Sequence, residues 1–413
     1  MSASFGWPSI VRLGLVQACL GAVVVMTTST LNRVMVVELA LPALLPGILV
    51  AMHYLVQVAR PRMGYGSDLG QRRTPWIVGG MLVLAFGGAL AAIATAWMGS
   101  DRVSGIALAV VAFMLIGIGV SAAGTSLLVL LAKRVEAPRR AAAATIVWLM
   151  MIVGFAVTAG VAGKLLDPYS PMRLIVVTAG VSGLAVLLTL IATWRLEGAG
   201  TTEPVAPAEP AHQPAFREAL AQVWAEPVAR HFTIFVFISM LAYSAQDLIL
   251  EPFAGSVFGF TPGESTSLSG VQHGGVFVGM LAAAFAGRGT RLGSLRAWQI
   301  GGCLLSALML LGLVAAGIVG AAWPFKANVF ALGVANGAFS IAAIASMMRL
   351  AGEGRHAREG TRMGLWGAAQ AVAFGLGGLV GTAASDLARW LIGTPSHAYA
   401  AVFALGTIRL CHA

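Results

Sequence analysis

Apolar runs the length of a bilayer recur along almost the whole chain, near 11–31, 41–59, 76–98, 103–132, 141–163, 173–194, 232–250, 267–286, 297–322, 327–349, 364–385 and 398–407. A hydrocarbon core about 30 Å thick is crossed by roughly 20 helical residues. Inside it every backbone N–H and C=O must be bonded within the protein, so runs like these fold as helices. Eleven are long enough to span. The twelfth gives way after Gly406 to Thr-Ile-Arg-Leu-Cys-His-Ala, and is expected to be a short helix or a truncated one. The first run has no A-x-A cleavage site and soon meets another, so it reads as a span and not as a signal peptide. Composition closes the argument: 58% of residues are apolar and 10% charged, against roughly 45–50% and about 25% in soluble domains. Soluble enzymes, disordered chains, collagen-like fibres and disulfide scaffolds are excluded. Cys19, Cys303 and Cys411 form no CxxC and suggest neither a metal site nor a redox pair.

The net charge of +10 is explained by where the basic residues fall. With the N-terminus inside, one set of loops holds Arg12, Arg60, Arg62, Arg72, Arg73, Lys133, Arg134, Arg139, Arg140, Arg195, Arg217, Arg230, Arg288, Arg291, Arg296, Arg349, Arg355, Arg358, Arg362 and Arg409, which is 20 of the 26 Lys and Arg. The opposite set holds Arg33, Arg102, Lys164, Arg173, Lys326 and Arg389. Positive charge is retained on the cytoplasmic side. The bias therefore predicts that both termini are cytoplasmic and requires no nucleic-acid partner.

One long break divides the spans. Residues 195–230 carry Pro204, Pro207, Pro210, Pro214 and Pro227, as in an extended linker. Phe216, Leu220, Val223 and Trp224 recur at helical spacing within it, which suits either a short interfacial helix or a solvated tether. The expected organisation is a six-helix bundle over 1–194, a cytoplasmic linker over 195–230 and a second six-helix bundle over 231–413. An internal repeat supports it. GYGSDLGQRR (64–73) follows the second span and GRGTRLGSLR (287–296) the eighth, matching at Gly64/Gly287, Gly66/Gly289, Leu69/Leu292, Gly70/Gly293 and Arg73/Arg296.

The first of these loops, with Gly64, Asp68, Gly70, Arg72 and Arg73, resembles the cytoplasmic signature of the major facilitator superfamily, with one residue fewer than usual between the Asp and the second Gly. A closer resemblance is to the PucC family. It rests on LNRVMVVEL (31–39), HYLVQVARPRMGYGSDLGQRRTPW (53–76) and QDLILEPFAGSVFG (246–259), and runs through all twelve expected spans, fading after about residue 405. The resemblance implies an all-α membrane protein, a major-facilitator-type bundle of 12 transmembrane helices in a 6+6 pseudo-repeat. It implies a photosynthesis assembly factor that binds or delivers bacteriochlorophyll, as cargo, to light-harvesting complexes. The implied partners are light-harvesting polypeptides, bacteriochlorophyll synthase and membrane lipid. The implied location is the bacterial inner, intracytoplasmic photosynthetic membrane.

Ionisable and polar groups inside spans are costly and so are the first functional candidates. Arg33 and Glu38 lie near the outer end of the first span. Asp247 and Glu251, four residues apart, share one helix face at the end of the seventh. In a 6+6 bundle those spans are equivalent and face each other, so Arg33 is expected to pair with Asp247 or Glu251 and close the outer mouth. His53 in the second span and His273 in the eighth lie at similar depth, three residues out of register by the repeat. Gln57 is one turn after His53, and Gln272 precedes His273. Neutral imidazole is a suitable axial ligand for the magnesium of a chlorophyll, which makes His53, Gln57, Gln272 and His273 the pigment-binding candidates. A buried His satisfied by a neighbouring carbonyl is the plainer alternative. Gly270/Gly274, Gly275/Gly279, Gly333/Gly337 and Gly377/Gly381 have the GxxxG spacing of closely packed helices.

Catalysis is not expected. A membrane prenyltransferase would need Asp-rich clusters to hold Mg²⁺ and diphosphate, and Asp101-Arg102 is the nearest approach to one. The alternative to pigment handling is a proton-coupled secondary transporter moving a small solute by alternating access. Against it, the fourth span carries no carboxylate between Val103 and Leu131, and Asp247 and Glu251 are expected toward one end of theirs.

Overall fold

The computed structural model describes residues 5–58, 72–136, 139–197, 224–286, 294–352 and 359–412. The described residues form helices joined by turns. These are α1 (Trp7–Glu38), α2 (Leu44–Gln57), α3 (Thr74–Trp97), α4 (Arg102–Arg134), α5 (Arg140–Leu166), α6 (Pro171–Thr193), α7 (Pro227–Phe258), α8 (Pro262–Ala286), α9 (Leu295–Val319), α10 (Phe325–Gly352), α11 (Glu359–Ile392) and α12 (Pro395–His412). Ten are long and apolar enough to cross a membrane; α2, with 14 residues, and α12, with 18, complete the dozen. The protein is a multi-pass membrane protein. Its outer surface agrees: Phe86, Val103, Leu184, Leu187, Phe285 and Leu304 are all exposed, as lipid-facing positions are.

Turns of a few residues join α1–α2, α3–α4, α5–α6, α7–α8, α9–α10 and α11–α12. These lie together at one end of the bundle, called here the short-turn end. Gly64, Asp68 and Gly70 and the expected interfacial stretch as far as Val223 lie outside the described residues, while Trp224 is described and exposed. Arg72 and Arg73 are described. Arg73 is buried, and its backbone N–H and that of Thr74 donate to the Glu197 carboxylate at 2.9 and 2.8 Å. A carboxylate placed after α6 thus satisfies the first orphan N–H groups of α3.

Contacts between the first six helices and the last six run chiefly through α5 against α8 and α2 against α11. The glycines make that approach possible. A Cβ on Gly270 would meet Gly160 N at 2.9 Å, and one on Gly47 would collide with the Thr382 side chain. Within the second set, Gly275, Gly279, Gly333 and Gly337 each lie against a carbonyl of the facing helix, which locks α8 to α10. Gly377 and Gly381 do the same for α11 on α7. The expected packing role holds at every one of these glycines except Gly274, where a Cβ would meet nothing within 4 Å.

Two features of the helices lie outside hydropathy. Helix α1 turns π-helical over Met26–Thr30 and again over Val34–Glu38. Helix α7 carries Pro252 in its interior and runs to Phe258, two turns beyond the expected 250. Likewise α11 continues past the expected 385 to Ile392 and takes in Asp386.

Candidate functional site

The polar residues of the short-turn end tie the two helix sets together. Thr30 and Thr266 hydroxyls are 3.0 Å apart. Arg33 Nε donates to Ser265 Oγ at 3.2 Å and its Nη2 to the Phe260 carbonyl at 2.5 Å. Thr261 Oγ1 donates to Asp167 Oδ2 at 2.9 Å. From the other side, the Asp386 carboxylate accepts from Ala43 N–H at 2.9 Å and Leu44 N–H at 2.8 Å, capping the start of α2.

The ion pair at this end is not the expected one. Arg33 pairs with Glu38 on its own helix, Nη1 to Oε1 at 2.5 Å, and not with Asp247 or Glu251. The reason is the π-helical turn. In an α-helix, residues five apart point about 140° away from each other at 100° per residue. The i→i+5 geometry of a π turn brings them into line. Glu251 is 4% exposed, with the Ser269 hydroxyl as its near polar neighbour. It remains within electrostatic reach of Arg33 and Asp247.

Helix α1 also repairs helix α7. Pro252 has no N–H to give to the Leu248 carbonyl four residues before it. Asn32 Nδ2 donates to that carbonyl instead, at 2.6 Å from across the interface. A freed backbone acceptor at membrane depth is thereby satisfied by a side chain of the facing helix.

Deeper in, aromatic and polar side chains of five helices line the centre. Phe155 of α5 packs on His273 of α8, ring centroids 4.8 Å apart. Asp247 of α7 lies within electrostatic reach of His273, and Tyr243 one turn earlier within reach of Asp247. Tyr243 meets Phe374 of α11 edge-on at 5.8 Å. Phe374 stacks on Tyr54 of α2 at 5.5 Å, and Tyr54 lies 4.8 Å from the ring of His53. Asp247 therefore sits in the centre of the bundle and not at one end of its helix, which corrects the expectation.

The two candidate histidines differ. Gln57 Nε2 lies 2.8 Å from His53 Nε2. An amide NH₂ can only donate, so that ring nitrogen accepts and its lone pair is engaged. His273 Nδ1 lies 2.8 Å from the Ser269 carbonyl. A carbonyl can only accept, so Nδ1 carries the proton, and in the neutral ring Nε2 keeps its lone pair. No hydrogen bond to a described residue engages that Nε2. His53 is 2% exposed, whereas His273 is half-buried. A histidine whose far N–H is fixed by a carbonyl is the arrangement found where imidazole ligates a metal. Gln272, also buried, lies at the α8–α10 contact, where its backbone carbonyl abuts Gly333.

Sequence reasoning named the histidines and the charged residues but missed Tyr54, Phe155, Tyr243, Phe374, Ser269 and Asp386. Tyr54 and Tyr243 could have been found, as phenols inside apolar runs one turn or less from candidates. Asp386 leaves no such signal, because it stands one residue beyond the end of the apolar run.

Comparison with known proteins places the chain. A family model described as PUCC protein matches residues 30–413. The protein described as the bacteriochlorophyll synthase 44.5 kDa chain of Rhodobacter capsulatus is 57% identical over 94% of this chain and 89% of its own. Protein PucC of Cereibacter sphaeroides is 33% identical over 96% of this chain and 88% of its own. Among solved structures, a peptide transporter POT in complex with sulfate superposes with a TM-score of 0.71 at 14% identity, covering 99% and 96% of the two chains. The nucleoside transporter NupG superposes with a TM-score of 0.69 at 17% identity, covering 98% and 97%. These likenesses show a major-facilitator-type fold.

Proposed function

The chain belongs to the PucC family, and from that premise we propose that it binds bacteriochlorophyll as cargo within the bilayer and delivers it to light-harvesting polypeptides. The observation that carries this reading is the orientation of His273. Its Nδ1–H is held by the Ser269 carbonyl while Nε2, on a half-buried ring packed on Phe155, has its lone pair free. A neutral imidazole so presented can donate to the magnesium of a tetrapyrrole. The aromatic side chains Phe155, Tyr243, Phe374 and Tyr54 offer faces on which a flat conjugated ring packs. His53, its Nε2 engaged by Gln57, serves as a structural residue of the same wall.

The chain acts here as a carrier and not as an enzyme. The synthase wording of one relative fits a protein that works beside that enzyme, which is then a partner. The two six-helix bundles, 1–194 and 231–413, move about the 195–230 linker, with both termini cytoplasmic. The short-turn end is then the outer mouth, held shut by Arg33, Glu38, Asp386 and the Asp167–Thr261 bond. A protein so placed belongs in the photosynthetic inner membrane. The competing reading, proton-coupled transport of a small solute, draws on the buried carboxylate of Glu251 and on Asp247.

The test is a spectrum. Protein purified gently from pigmented cells should carry bacteriochlorophyll, lose it on His273→Ala and keep it on His53→Ala. A colourless wild-type protein, or pigment that survives His273→Ala, refutes the proposal. Solute-driven proton uptake by a colourless protein would establish the solute-transporter alternative.

A further inference from the structure

The two helix sets meet along two seams, α5 against α8 and α2 against α11. Each seam carries a ring pair that joins the sets: Phe155 with His273, and Tyr54 with Phe374. Around those pairs the seams are built differently. Along α5–α8 backbone meets backbone. A Cβ on Gly163 would lie 2.6 Å from the Gly263 carbonyl oxygen. One on Gly270 would lie 2.9 Å from Gly160 N and 3.0 Å from the Ala156 carbonyl oxygen. The α2–α11 seam is equally tight at the short-turn end, where Gly47 lies against Thr382 and Asp386 caps α2. Two turns farther in it loosens. A Cβ on Gly375, the residue after Phe374, would rest 3.4 Å from Tyr54 Cβ and 3.6 Å from the Ala51 carbonyl oxygen, in ordinary van der Waals contact.

Each helix of the looser seam is fixed instead to its own set. Gly117 of α4 lies against the His53 carbonyl of α2, where a Cβ would come within 2.7 Å, and Gly377 of α11 lies against the Leu241 carbonyl of α7. The parting line between the sets therefore runs between Tyr54 and Phe374, whose rings stack at 5.5 Å and 26° from parallel. Stacked rings are a weak closure compared with interlocked backbones. The pair also divides two surroundings. Leu55, next to Tyr54, is 70% exposed, and Val372 and Leu376, on either side of Phe374, are exposed too. Behind the pair stand His53 and Tyr243. Helix α2 has 14 residues, about 21 Å at 1.5 Å each, against about 30 Å of hydrocarbon. Tyr54 lies in its last turn.

We propose that the α2–α11 seam is a side door: cargo enters and leaves the centre of the bundle from the hydrocarbon layer, between Tyr54 and Phe374, while the α5–α8 seam stays closed. The proposal rests on the reading that the cargo is bacteriochlorophyll, whose hydrocarbon tail makes passage through a water-filled mouth costly.

The test uses the full-length protein in lipid nanodiscs, with Cys19, Cys303 and Cys411 replaced by Ala and with Ala51→Cys and Gly375→Cys introduced. A Cβ at 375 lies 3.7 Å from Ala51 Cα, so the two positions fall within disulfide range. Oxidation bolts the door, and reduction frees it in the same protein. Loaded with bacteriochlorophyll, the reduced form should pass its pigment to empty liposomes roughly tenfold faster than the oxidised form. A second readout needs no pigment: a phosphatidylcholine with a photoreactive diazirine in mid-chain. In the reduced form its label should reach His53 and Tyr243. In the oxidised form it should stop at the rim, on Leu55, Val372 and Leu376. Thiol titration establishes that the disulfide has closed, and unchanged dispersity and helical content that the variant folds. Equal transfer from both forms overturns the proposal, as does inner labelling that survives oxidation or is absent from the reduced form. A protein that takes up no pigment refutes the bacteriochlorophyll reading instead, and the lipid label then decides the doorway alone.

Discussion

The two helix sets each place one histidine at mid-depth with a glutamine near it, and the two histidines end in opposite states. On α2, Gln57 is one turn after His53 on the same face, and its amide engages the ring nitrogen that a ligand would need. On α8, Gln272 is adjacent to its histidine and so points about 100° away. The backbone carbonyl of Ser269 takes up Nδ1 and leaves Nε2 free. A duplicated architecture thus yields one sealed imidazole and one presented imidazole from the same residue types. Which residue satisfies the ring, and on which nitrogen, decides the chemistry.

The largest expected effect comes from erasing that difference. Gln57→Leu removes the amide that engages His53 Nε2. In the His273→Ala background it should restore part of the bound bacteriochlorophyll, read as absorbance per protein. No recovery would mean that the wall around His53, and not Gln57, excludes pigment.

The joints between the sets differ in the same way, one donating and the other accepting. Asn32→Leu should orphan the Leu248 carbonyl and lower stability by about 1–3 kcal/mol. Pro252→Ala, which returns an N–H to that carbonyl, should recover much of the loss. A double-mutant cycle of thermal unfolding in detergent measures the coupling, and strict additivity would break the assignment. Asp386→Ala removes the reciprocal cap on α2 and should cost about 0.5–2 kcal/mol. It should also speed labelling of a cysteine placed at Ala43, if the cap helps hold the short-turn end closed.

The smallest effect belongs to a cap with no counterpart across the interface. Asp101, at the start of α4, accepts from the Ser104 hydroxyl at 2.5 Å and from the Val103 and Ser104 N–H groups. The Ser104 hydroxyl bond, first, and the backbone bonds hold its carboxyl below the usual range. A lowered folded pKa means that the stabilisation is present above the unfolded value and is lost as pH falls through the folded one. Wild-type unfolding temperature should therefore fall slightly toward acid relative to Asp101→Asn, which caps without titrating. Parallel pH profiles would refute it.

The helices were legible because bilayer thickness writes itself into the length of apolar runs; α12 read as short for that reason, whereas α2, with 14 residues, is shorter than its apolar run. Helix ends were less so: Glu251 and Asp386 are polar residues that terminate an apolar run on paper yet lie inside longer helices. The candidate site was legible as residue types. Its wiring was not. Pairing Arg33 with Glu38 requires a π turn that periodicity at 3.6 does not register. The ranking of His273 over His53 depends on side-chain rotamers and on a carbonyl, neither of which leaves a mark in the sequence.

The bond from Asn32 to the Leu248 carbonyl has a consequence for descent. Once Pro252 is in place, part of the backbone of one helix is completed by a residue more than two hundred positions earlier in the chain. Neither residue is then free to drift alone: loss of the asparagine strands an acceptor, and loss of the proline makes the asparagine redundant. The two should be inherited as one unit. A relative that has exchanged one of them is expected to have exchanged the other, a pattern that sequences from across the family can check without any protein being made.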